Sequence, residues 1–114
     1  MDKRTLKLLS VNLQGFPWWK KNKLLKIAKK YNVILFQEAC KIDKNYERYF
    51  LYVFNHFNLY FNANLPHTGS RALLTAVHKN FNSRVKCDTL LYQIVNVKIN
   101  NCEKYTLCNT YVSQ

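Results

Sequence analysis

Acidic side chains are the scarcest chemistry in this chain: six Asp and Glu stand against 18 Lys and Arg, a formal net charge of +12. Such a surface favours polyanions, nucleic acid first, although liberal use of Lys and Asn throughout supplies part of the excess. Glycine and proline occur twice each. The sequence has no linker, low-complexity tract or internal repeat, and 114 residues suit a single domain. No apolar run approaches the length of a membrane span. Met1–Gln14 is charged and lacks the sustained apolar stretch of a signal peptide. The expectation is an intracellular protein, in cytoplasm or nucleus, with no membrane partner. Cys40, Cys87, Cys102 and Cys108 show neither a Cys-x-x-Cys pair nor metal-site spacing, so free thiols in a reducing compartment are expected. What is plentiful is apolar: 48% hydrophobic and 15% aromatic residues exclude a disordered chain and suffice for one core.

The opening stretch has the clearest organisation. Leu6–Asn12 reads as a strand, and Gly15 and Pro17 force a turn in the following loop with Trp18 and Trp19. Lys20–Tyr31 reads as an amphipathic helix. Leu24, Ala28 and Tyr31 lie on one face with Leu25 beside them, and six lysines cover much of the rest. Asn32 stops it, and Val33–Gln37 is a buried strand. Tyr46, Tyr49, Phe50, Val53, Phe54 and Phe57 repeat at helical spacing, predicting a helix over Asn45–Phe57 with an aromatic core face. Strands follow at Leu59–Ala63, Ala72–His78, Leu90–Ile99 and Tyr105–Val112, with a turn at Pro66–Ser70. The last two strands form an antiparallel hairpin through an Asn100-Asn101 turn. The order βαβα followed by strands gives an α/β (α+β) fold with a mixed, mostly antiparallel sheet and two helices on one face. Several strands are apolar on both faces and call for cover on both. The sequence shows cover for one face only; a second face left bare would drive self-association.

In an open α/β sheet ligands bind beyond the carboxyl ends of the strands. Asn12 and Glu38 both sit at such ends, one βαβ unit apart. Each also has a plainer role available: Asn12 as a turn cap and Glu38 as a strand-end carboxylate paired with a lysine.

These segments resemble the endonuclease/exonuclease/phosphatase family. Leu6–Gly15 (L-K-L-L-S-V-N-L-Q-G) is similar to its first strand, and Val33–Ala39 (V-I-L-F-Q-E-A) to the segment with its Gln-Glu signature. Thr68–Val77 (T-G-S-R-A-L-L-T-A-V) resembles its small-residue turn and apolar strand, and Tyr105–Gln114 (Y-T-L-C-N-T-Y-V-S-Q) its strand ending in Tyr. The spacing and basic first helix look most like the abasic-site and LINE-type retrotransposon endonucleases. The resemblance implies that residues 1–114 are a single partial domain, the N-terminal half of a four-layer α/β sandwich. It implies Mg²⁺- or Mn²⁺-dependent hydrolysis of phosphodiesters, DNA rather than RNA. Glu38 would ligate the metal, Asn12 would sit beside it, and Tyr111 would place its hydroxyl near the scissile phosphate.

The resemblance also implies absences. The family's Asp-x-Asn after a later strand and its final Asp-His pair have no counterpart, and Gln14 stands where many abasic-site enzymes carry Asp. His56, His67 and His78 match no family position and read as surface or loop residues. The chain alone is therefore expected to be inactive, or completed by a C-terminal part or second chain. Trp18, Trp19, Lys20, Lys21, Lys23 and Arg71 are the candidate nucleic-acid contacts. For the tryptophans packing beneath the loop is the competing role, for the helix lysines a solvated face, and for Tyr111 a half-buried strand position. The rival functions are a non-catalytic basic nucleic-acid-binding module, indifferent to Glu38 and metal, and a phosphatase-type member acting on small phosphate esters.

Overall fold

Four apolar residues in succession, Val33 to Phe36, cannot lie in a strand with one wet face, and in the computed structural model all four are buried. The structure describes residues 5–13, 21–39, 44–62, 73–89, 91–100 and 103–110. The elements run β1 (Leu8–Asn12), α1 (Lys21–Lys30), β2 (Val33–Gln37), α2 (Lys44–Val53), β3 (Phe57–Phe61), β4 (Leu74–His78), β5 (Asn82–Asp88), β6 (Tyr92–Lys98) and β7 (Lys104–Thr110). They form a four-stranded sheet of order β1-β2-β4-β3 and a three-stranded sheet of order β5-β6-β7.

The first sheet is mixed. β1 runs parallel to β2, which requires a crossover that α1 supplies, while β2–β4 and β3–β4 are antiparallel. Ile34, Phe36, Leu74 and Ala76 point to the helical side, where they meet Leu24 and Ile27 of α1 and Phe50 and Val53 of α2, with Phe54 beyond it. Rings dominate this layer: Phe36 stands edge-on to Phe50 and Phe54, each at 5.7 Å, and Phe54 is edge-on to Phe57 at 5.3 Å. Edge-to-face pairs add to the burial term. α1 buries Ile27, an addition to the expected face, and leaves Leu25 40% exposed with Lys23, Lys26, Lys29 and Lys30.

The other face is covered, which the sequence reading did not foresee. Val33, Leu35 and Val77 pack against Val95, Val97 and Ile99 of the second sheet, with Phe81 sealing one end. The apolar face expected to drive self-association is thus an interior. β5 is the element that went unnoticed: its strand pairs with β6 around an irregularity between Val85 and Cys87, leaving Lys86 unpaired. The β6–β7 hairpin is antiparallel as expected, but its connection is longer than a two-residue turn: Ile99 N–H donates to the Glu103 carbonyl at 3.0 Å and Glu103 N–H to Asn100 Oδ1 at 2.8 Å. α2 ends at Val53 rather than Phe57; Phe54 N–H still bonds the Phe50 carbonyl, and then Phe57 N–H bonds Phe54, tightening the chain into β3.

Asn32 closes the end of the sheet where β2 begins. Its buried side chain accepts from Lys7 N–H at 2.7 Å and donates to the Thr5 carbonyl at 2.6 Å, while its carbonyl accepts from His78 N–H. One residue thereby stops α1 and fixes the approaches to β1, β2 and β4.

Candidate functional site

The parallel register pairs Asn12 with Gln37, so β1 and β2 finish at the same level and Glu38 follows directly. Leu13 N–H donates to the Gln37 carbonyl at 2.9 Å, carrying the pairing one residue past the strand. Glu38 then adopts φ 50, among the described residues the one non-glycine in the left-handed region. That conformation costs an L-residue with a Cβ about 1–2 kcal/mol, so its surroundings must hold it.

The preceding residue, Gln37, is tied down through its side chain. Its Nε2 donates to Ser10 Oγ at 3.0 Å, to its own strand at the Leu35 carbonyl, and to Asn109 Oδ1 at 2.9 Å. Asn109 is its partner. It is 1% exposed, projects from β7 into the first sheet, and its Nδ2 reaches the carbonyls of Phe36 and Leu74, each at 3.1 Å, and Thr75 Oγ1 at 3.3 Å. Beside it the fully buried Thr75 and Gln93 share a 2.6 Å bond, and Gln93 Nε2 donates to the Tyr60 carbonyl. At the far corner of the same end Asn62 accepts from Leu73 N–H at 2.6 Å and donates to the Asp88 carboxylate and the Thr89 carbonyl. The buried amides of Asn62, Gln93 and Asn109 are tolerated because both their oxygen and their NH₂ find partners.

The sequence reading picked out Asn12 and Glu38, and the structure brings them to neighbouring strand ends. It passed over Asn109, Gln37 as a side chain, Asn62 and Asp88. Asn109 had a readable signal: alternation along β7 puts it on the same inward face as Leu107, where an apolar residue is the default. Lys23 is exposed on α1. Trp18, Trp19, Lys20, Arg71, His67 and Tyr111 lie outside the described residues, as does the Lys21 side chain. His56 and His78 stack at 6.4 Å at the opposite end of the first sheet, away from Glu38. Tyr92, at the start of β6, is held above the ordinary tyrosine range, first by a hydrogen bond with the Cys87 side chain.

Among the described residues no three His, Cys, Asp or Glu side chains cluster as a metal cage. What the strand ends offer is oxygen: the Glu38 carboxylate and the Asn12 amide, with Asp88 at the far corner. That donor set fits a hard cation such as Mg²⁺, which takes one or two carboxylates and keeps water and phosphate oxygens in its remaining positions. No described helix is long and apolar enough to cross a membrane.

Neither a family model nor a curated protein sequence matches the chain. Solved structures do. The endonuclease domain of TRAS1, a telomere-specific non-LTR retrotransposon, superposes with a TM-score of 0.67 at 16% identity, over 95% of this chain and 46% of its own. The abasic (AP) endonuclease LMAP of Leishmania major gives 0.68 at 17% identity, over 99% and 42%. A truncated TDP2 of Caenorhabditis elegans gives 0.63 at 15%, over 96% and 47%. The chain has the endonuclease/exonuclease/phosphatase fold and spans less than half the length of these proteins.

Proposed function

We propose that this chain carries the metal-and-phosphate end of a divalent-metal-dependent phosphodiester hydrolase, an endonuclease acting on DNA. The observation that carries the reading is the placement of Asn12 and Glu38 at adjacent parallel strand ends, with Glu38 in a left-handed backbone conformation directly after the Gln37 side chain that bonds Asn109. Strain kept in place by a buried network is preorganisation, and it is kept where a group must be aimed. The likeness to two endonucleases supports the same reaction class. Glu38 is the metal-ligating carboxylate, Asn12 contributes an amide to the same pocket, and Tyr111, two residues beyond Asn109, supplies a hydroxyl to the phosphate. Bound there, Mg²⁺ or Mn²⁺ would neutralise charge developing on a phosphate or leaving oxygen. Attack by water also needs a base within hydrogen-bond reach. Neither His56 nor His78 lies at this end; on this reading the base is supplied by a further C-terminal part or a second chain, and cleavage by residues 1–114 alone is not expected.

Thermal melting with and without Mg²⁺, on the wild-type chain and on Glu38→Gln, tests this. A ligand at 100 times its Kd stabilises the folded state by about 2.7 kcal/mol. The wild type is expected to rise in Tm with Mg²⁺ and Mn²⁺ and Glu38→Gln not to, with no plasmid nicking by either. An equal response in the variant, or none in the wild type, sinks the assignment of Glu38.

A further inference from the structure

The outer face of the three-stranded sheet, turned away from the core, holds a cleft of about 430 Å³ at the end remote from Glu38. Arg84 and Lys86 of β5, Lys98 of β6 and Lys104 of β7 line it. Lys98 and Lys104 are register partners on adjacent strands, directly opposite one another. Like charges directly opposite on one sheet face destabilise it. Of the described carboxylates, Asp88 bonds Asn62 and Glu38 lies at the far end, which leaves Glu103 at the cleft margin as one negative charge against Arg84, Lys86, Lys98 and Lys104.

The row next to the lysine pair runs Arg84, Asn96, Thr106 across the three strands. Thr106 Oγ1 donates to Asn96 Oδ1 at 3.0 Å, which occupies the amide oxygen and leaves its NH₂ as the group to offer a ligand. Both rows therefore present donors and positive charge. From this we propose that the outer face of β5, β6 and β7 is a contact surface for the phosphate backbone of duplex nucleic acid. The surface fits duplex better than single strand. Single-strand platforms add several aromatic rings on which successive bases stack, and here the lining holds one aromatic residue, Tyr105. Contact with phosphates alone positions a duplex without reading its sequence. The proposal stands apart from the assignment of Glu38, since no metal ligand takes part in it.

Fluorescence anisotropy of a labelled 20-base-pair duplex, titrated in EDTA across a salt series, separates the two. Each phosphate neutralised on B-DNA contributes about 0.9 to the slope of log affinity against log salt. The triple variant Arg84→Gln/Lys98→Gln/Lys104→Gln is expected to bind at least tenfold more weakly and to lose about 2 to 3 from that slope. Lys26→Gln/Lys29→Gln/Lys30→Gln removes equal charge from α1 and is expected to lose far less. The substituted cleft residues are on the surface, and an unchanged circular dichroism spectrum and Tm verify the fold. Equal losses in the two triple variants would reduce the effect to net charge and overturn the proposal. So would a cleft-variant loss confined to phosphatidylserine vesicles, which would assign the face to a membrane surface instead.

Discussion

The two faces of the four-stranded sheet are buried by different means. Toward the helices the filling is aromatic and dry, with Phe36, Phe50, Phe54 and Phe57 packed ring against ring. Toward the second sheet the filling is aliphatic at one end and polar at the other, where Gln37, Thr75, Gln93 and Asn109 take the places of side chains that would pack without bonding. Burial of rings is non-directional and supplies free energy; amide bonds supply little net free energy but accept only one alignment. The helix face supplies most of the burial, and the polar end of the other face fixes how the two sheets align beside Glu38.

Substitutions on each side should separate those two jobs. Phe36→Ala removes a fully buried ring that stands edge-on to Phe50 and Phe54 and is expected to cost about 3–5 kcal/mol, a large share of a domain's roughly 5–15. Denaturant unfolding measures it, and at temperatures where the variant is folded its Mg²⁺ response should persist. Asn109→Ala removes the side-chain donor to the Phe36 and Leu74 carbonyls and one of three acceptors of the Gln37 amide, at an expected cost of ~1–3 kcal/mol. This smaller loss should nevertheless abolish the Mg²⁺ response, and a response that survives would show the network to be structural alone. Glu38→Gly has the smallest effect and the opposite sign. Glycine takes positive φ without steric cost but loses more chain entropy on folding, so a net gain of a few tenths to about 1 kcal/mol is expected, with loss of the Mg²⁺ response.

Much of this was legible in the residues. Val33–Gln37 appears with the expected bounds because an unbroken apolar run flanked by polar residues has few other uses. Asn12 and Glu38 were readable because chain order alone puts them at strand ends. β5 was not readable: of Asn82-Ser83-Arg84-Val85-Lys86-Cys87-Asp88, only Val85 and Cys87 are apolar, and the irregularity at Lys86 breaks the alternation between them. The end of α2 was misjudged because Phe54 and Phe57 keep facing the same core after the helix has stopped, so the apolar pattern outlives the conformation. The second layer followed from neither composition nor period. It depends on which strands pair, and β4 and β5, though joined by a tight turn, lie in different sheets.

The contact between Gln37 and Asn109 joins residues 72 positions apart. The three-stranded sheet is by contrast a run of consecutive strands, each paired with its neighbour in sequence, and local pairings of that kind close early because they sacrifice little chain entropy. The meander can therefore take shape while β1 and β2 are still searching for each other, and the Asn109 amide meets its carbonyls only when both sheets exist. Interactions absent from the folding transition state govern how fast a protein comes apart rather than how fast it forms. Asn109 is therefore expected to act on the rate at which the two sheets part more than on the rate at which they form, so Asn109→Ala should speed unfolding and leave refolding nearly unchanged.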